Sequence, residues 1–212
     1  MPVDELDEHH HEHHHPQGRL FQALLPLWML VGRGGLARAV ARVADLSSGD
    51  TLVDIGCGPG TAVRQARRSG ASRAVGVDPD PRMLRLARWL TSIQRIQGVN
   101  YVEGAAEHLP VETASATVGW AIQSAHHWED RARGLQEARR VVRPGGRLVL
   151  MERSVQPGAR GLASHGMTEH HAEGLMAELA TAGFDDVARR TVDIGRRTFL
   201  VITATARATQ IS

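Results

Sequence analysis

The residue types able to do chemistry fall into two groups. The first is Asp54-Ile55-Gly56-Cys57-Gly58-Pro59-Gly60-Thr61, where a short apolar run turns through three glycines at alternate positions into a helix predicted to begin near Thr61. Glycine removes Cβ where the chain must turn sharply and lets a ligand approach the backbone amides. A second predicted strand, Ala74-Val75-Gly76-Val77, ends in Asp78, placed about 20 residues on to accept hydrogen bonds from a ribose diol. The second group is His126-His127, just past the end of a predicted fourth strand, Thr117-Val118-Gly119-Trp120-Ala121-Ile122. Imidazole accepts a hydroxyl proton near neutral pH, so either histidine is a candidate general base. The alternative is that both cap and pack the turn.

Spacing narrows the ligand. A dinucleotide fingerprint needs glycine where Thr61 stands, and a P-loop needs a Gly-Lys-Ser/Thr ending. Neither occurs, and all 25 basic residues are arginine. On the glycine turn together with Asp78, the chain resembles the class I S-adenosylmethionine-dependent methyltransferases, specifically the small-molecule group with an Asp-x-Gly-x-Gly-x-Gly motif. Two further segments carry the likeness: Ala125-His126-His127-Trp128, and Glu137 to Gly146, which follows the Glu-x-x-Arg-Val-Leu-x-Pro-Gly-Gly pattern.

The resemblance implies an α/β fold, a Rossmann-like seven-stranded sheet in the order 3-2-1-4-5-7-6 with the last strand antiparallel and helices on both faces. It implies S-adenosylmethionine as cofactor, with Gly56, Cys57, Gly58 and Gly60 approaching it through backbone atoms and Asp78 gripping its ribose. Asp54, Pro79, Met83, Ala121 and Gln123 are further expected contacts, Met83 being equally readable as core. The adenine corner departs from the pattern: Ala105 stands where the family's aspartate receives the adenine amino group. Recognition then falls to the backbone near Ala106 or to Glu107, which could instead cap the following turn. That departure also admits a binding protein that keeps the fold without catalysis. The family's aspartate at the start of the fourth strand is Thr117 here, a change read as local packing.

Glu152 is expected at the carboxyl end of the fifth strand, on the substrate side. With His126, His127 and the helix-opening pair His170-His171 it could hold a divalent cation such as Mg that orients a sugar diol; the other reading leaves the latter two as helix-end residues. The acceptor is therefore expected to be a small molecule, a sugar or polyhydroxylated metabolite methylated on oxygen. Carbon methylation of a quinone precursor and carboxylate methyl esterification are the alternatives.

These residues need a scaffold, and 212 residues with 42% hydrophobic content suffice for one α/β core. The expected division is a His-rich flexible tail and lid over residues 1–35 and a methyltransferase domain over residues 36–212. The tail packs six histidines and five acids into its first 16 residues, either a solvated segment or a loose chelate. Residues 20–31 are apolar but too short to span a membrane and have the wrong flank for a secretory signal. A net charge of +2 arises from scattered arginines without interleaved aromatics, so no nucleic-acid partner is expected. The lone cysteine, Cys57, excludes disulfides within the chain, and a reducing, cytoplasmic setting is expected. Oligomeric state leaves no signature.

Overall fold

Alternate residues of each central strand are sent to opposite faces of one sheet. The computed structural model describes residues 33–159 and 165–208, so the histidine tract and residues 20–31 lie outside the described residues. Strands run at β1 (Thr51–Ile55), β2 (Arg73–Asp78), β3 (Val99–Glu103), β4 (Ala116–Ile122), β5 (Val142–Arg153), β6 (Phe184–Ile194) and β7 (Arg197–Ala206). Helices are α1 (Arg33–Val43), α2 (Thr61–Arg68), α3 (Pro81–Ile93), α4 (Arg131–Val141) and α5 (Glu169–Thr181), with a 3₁₀ turn at Ala125–His127. Val53, Ala121 and Leu150 pack on one face with Leu135 of α4 and Leu175 of α5. Their neighbours Leu52, Trp120 and Val149 pack on the other with Val40 of α1, Val63 of α2 and Leu84 of α3.

The strand order is β3-β2-β1-β4-β5-β7-β6, with β7 antiparallel to both neighbours and the other pairs parallel, as expected. The chain winds outward from β1 to β3 and then returns to lay β4 on β1's other side. At such a switch point the two crossovers part, and a crevice opens beyond the carboxyl ends of β1 and β4. Both groups of chemical residues sit at those ends.

Two local features bear on the family pattern. At the first, β5 begins at Val142, directly after α4. Its register against β4 jumps from Ala116↔Val142 to Val118↔Arg147, so Pro144-Gly145-Gly146 forms a bulge inside the strand. Gly145 takes φ 74°, open to glycine at little cost. The second feature is the acid missing from the start of β4. Thr117 donates its hydroxyl to Asp50 at 2.6 Å, so the carboxylate comes from the turn before β1 instead. Burial raises the Asp50 pKa, but the Thr117 hydroxyl, the Ser47 backbone N–H and hydroxyl, and the Arg147 cation outweigh it and hold it below the ordinary range. Arg147 also donates to the Ala44 carbonyl, satisfying the carboxyl end of α1.

Candidate active site

The glycine turn is built by three constraints. Gly56 and Cys57 donate backbone N–H groups to the Val77 carbonyl at 2.8 and 2.9 Å, stitching the bend to the end of β2. Gly58 then donates to Asp78 Oδ2 at 2.7 Å, while Asp80 N donates to Oδ1 at 2.9 Å. Asp78 is thus buried against the bend. Arg64, 4% exposed on α2, donates to the Pro59 carbonyl at 2.7 Å and anchors the turn from below. Gly56 and Gly60 have φ of 77° and 71°, the left-handed region. Their missing Cβ positions are not open to a ligand: an added Cβ would lie 2.5 Å from Ser124 Cβ at Gly56 and 2.3 Å from the Tyr101 hydroxyl at Gly60. Glycine at those two positions serves backbone conformation and protein packing. Burial, with Asp54 and Asp78 nearby, pushes the Cys57 thiol well up, so it is not a nucleophile. Leu36 and Ala37 of α1 close a small cavity over this turn with Asp54, Cys57, Thr61 and Ile122.

Across the crevice, the chain leaves β4 through Gln123, held at φ 52° with its N–H on the Met151 carbonyl at 2.8 Å. Ser124 donates to the Ile55 carbonyl at 2.6 Å, tying the β4 end to the β1 end. The 3₁₀ turn that follows presents His126 partly buried and His127 exposed. Glu152, 2% exposed at the end of β5, meets His126 Nδ1 at 2.7 Å. His126 Nε2 is buried without a hydrogen-bond partner. A carboxylate accepting from Nδ1–H fixes the tautomer that leaves Nε2 an acceptor. His165 brings a third imidazole, its ring centre 5.8 Å from that of His127 and 6.2 Å from that of His126. His170 and His171 stay on exposed positions of the first turn of α5. The expected grouping of His170 and His171 with Glu152 is therefore not formed; His165 takes their place because the chain doubles back beside β5, where Ser154 bridges Met167.

Residues 53–150 match the family model described as a methyltransferase domain. Over this segment the chain is similar to methyltransferases. It is 32% identical over 130 residues to the 27-O-demethylrifamycin SV methyltransferase of Amycolatopsis mediterranei, covering 60% of this chain and 47% of that one. The demethylmenaquinone methyltransferase of Deinococcus radiodurans is 32% identical over 151 residues, 68% of this chain and 61% of that one. A solved S-adenosylmethionine-dependent methyltransferase from Aquifex aeolicus superposes with TM-score 0.70 at 17% identity, covering 83% of this chain and 93% of that one, which shows the shared fold. The chain spans roughly half the length of these two curated relatives.

The other expected contacts divide. Met83 is buried in the first turn of α3, whose start is capped by Asp80 accepting from Arg82 N at 2.8 Å, with Pro81 at the first helical position. Pro79 and Ala105 are exposed, and Ala106 is buried in the core. Glu107 accepts from Asp130 N at 3.1 Å, joining the adenine corner to the start of α4, which favours the capping alternative. Ala121 is fully buried among Val53 and Leu150, so its side chain cannot touch a ligand. The fit to S-adenosylmethionine rests on Asp78 buried at the bend and on the cavity beside Asp54 and Cys57. A carboxylate accepts up to about four hydrogen bonds, so holding the bend is compatible with taking a diol. Among the described residues, no helix is long and apolar enough to cross a membrane.

Sequence reasoning missed Ser124, Tyr101, Arg64 and the part played by His165. Ser124 and Tyr101 carried no signal, since the spaces they fill and the partners they bond lie on distant segments of the chain. Arg64 gave no signal either: it lies about 100° round the helix from Val63 and about 160° from Ala66, off their stripe, yet is buried.

Proposed function

We propose that this chain transfers the methyl group of S-adenosylmethionine to a hydroxyl oxygen of a small polyhydroxylated acceptor such as a sugar. The observation that carries this is the Glu152–His126 pair, 2.7 Å apart at the carboxyl ends of β5 and β4, with Nε2 buried and unclaimed. When bound, S-adenosylmethionine supplies an electrophilic methyl on a sulfonium. Gly56 to Gly60 and Asp78 hold that donor, and the crevice end of β4 orients the acceptor, so positioning supplies much of the acceleration. His126 Nε2 takes the hydroxyl proton as the oxygen–carbon bond forms, and Glu152 steadies the imidazolium.

The rifamycin relative's name points to an oxygen acceptor, which supports the reading. The demethylmenaquinone relative supports a second one, carbon methylation of a quinone precursor, where a phenolate-like acceptor needs less help from a base. Methyl transfer from labelled S-adenosylmethionine to a panel of sugars, quinone precursors and carboxylic acids separates them. With a hydroxyl acceptor, H126A should lose about 10²–10⁴-fold in kcat while retaining cofactor affinity. Unimpaired turnover by both H126A and H127A would remove the base and with it the preference for oxygen. Calorimetric titration with S-adenosylmethionine and its demethylated product tests the donor itself; no heat from either defeats the proposal.

A further inference from the structure

The three imidazoles at the crevice do more than one base requires. His126, His127 and His165 each offer a ring nitrogen, and these nitrogens all lie within 4.8 Å of one another. We infer that they form a binding site for one divalent transition-metal ion of the Zn²⁺ class, and that the bound ion inhibits methyl transfer by occupying His126 Nε2. The second clause rests on the function proposed above; the first does not.

Four observations converge on the ion. His126 Nε2 is buried and has no partner, the condition of a ligand atom awaiting its acceptor. Its other nitrogen is held by Glu152 at 2.7 Å, the carboxylate–histidine arrangement that orients a ligating ring. His165 is delivered by a backbone that is fixed beside it: Met167 N donates to the Arg153 carbonyl at 2.8 Å and Val155 N to the Met167 carbonyl at 3.0 Å. Gly166 lets the segment pass there, since a Cβ would lie 2.3 Å from the Arg153 oxygen. Finally, the rings of His126 and His127 are already 3.9 Å apart between centres.

Ligand chemistry selects the ion. Three neutral imidazoles suit Zn²⁺, Co²⁺, Ni²⁺ or Cu²⁺ and are poor ligands for Mg²⁺, which prefers oxygen. Zinc–nitrogen bonds of about 2.0–2.1 Å place tetrahedral ligands about 3.3 Å apart. The exposed rings of His127 and His165 can close the difference by side-chain rotation. Three protein ligands leave one coordination position for water.

The six histidines of residues 9–15 would bind the same ions, so the test uses the full-length chain with those six changed to Gln. Co²⁺ is titrated and its visible absorption followed, with circular dichroism confirming that each variant is folded. One Co²⁺ per chain is expected, weakened at least about tenfold in H165A and in H126A, as for removal of one ligand. Mg²⁺ should not compete. No cobalt spectrum in the parent, or equal affinity in parent and H165A, overturns the site. Methyl transfer is then measured with and without Zn²⁺: the ratio should fall steeply for the parent and stay near one for H165A. Stoichiometric binding without inhibition would leave the ion site standing and overturn both the inhibitory clause and the base assigned to His126.

Discussion

A buried carboxylate with one partner is a costly thing to keep. Glu152 is 2% exposed, and while Oε2 meets His126, Oε1 is buried with no hydrogen-bond partner. Breaking even requires good geometry and satisfied lone pairs, which only half this group enjoys. Stability alone would favour a neutral side chain here, whereas fixing the His126 tautomer needs an acceptor that cannot also donate, which an ionised carboxylate is. E152Q should separate these two demands. Its amide can donate N–H to Nδ1 and drive the proton to Nε2, removing the acceptor; kcat should fall about 10²–10³-fold with the KM for S-adenosylmethionine nearly unchanged. Thermal unfolding should show a melting temperature equal to or above that of the parent. A loss of stability that tracks the loss of rate would assign Glu152 a structural role instead.

At the level of elements, the ends of β1 and β4 are locked together by absent atoms as much as by bonds. Gly56 holds φ 77°, and Ser124 fills the space a Cβ would need, 2.5 Å away, while donating to Ile55 at 2.6 Å. G56A should therefore pay twice, about 1 kcal/mol for the left-handed backbone and more for the collision. S124G removes the collision but also one hydrogen bond. In urea unfolding, the double variant G56A/S124G should be less destabilised than the sum of the singles by about 1 kcal/mol or more, the mark of direct contact. Additive values would mean that the two strand ends do not meet. The glycine spacing and the strand-end Asp78 were legible in the sequence because a tight bend and the carboxylate that holds its N–H each demand particular residue types at fixed places. Ser124 and Tyr101 were not, since many side chains fill a gap equally well and only the pairing of distant strands shows which one does. His165 stands 38 positions after His127, and its meeting with the other two rings depends on the course of β5 and the return beside it.

Across the whole molecule, the strand order was legible through the family resemblance that a few local motifs carry, and the sheet has that order. The partners of the Glu-x-x-Arg pattern show what it does. Glu137 Oε2 accepts from Leu109 N at 2.9 Å and from Arg140 Nη2 at 2.7 Å, while Arg140 donates onward to the Leu109 and Val111 carbonyls at 2.8 Å each. The pair clamps α4 to the segment after β3, beside the adenine corner. The Arg140 guanidinium, working against burial and helped by the Leu109 N–H, holds the Glu137 carboxyl at about 2, below its ordinary 4.5. A lowered folded-state pKa means that stability is fully present above pH 4.5 and is lost as pH falls toward 2. The whole effect is at most about 3 kcal/mol, of which about 2 kcal/mol should be gone by pH 3. Asp50, Asp80 and Glu178 are lowered too, so acid weakens the fold at several places at once. Comparing parent with E137Q isolates one of them, because the others titrate alike in both. Between pH 6 and pH 3 the parent should lose about 2 kcal/mol more unfolding free energy than E137Q, measured by urea denaturation at each pH; equal losses would show that the clamp does not depend on the Glu137 charge.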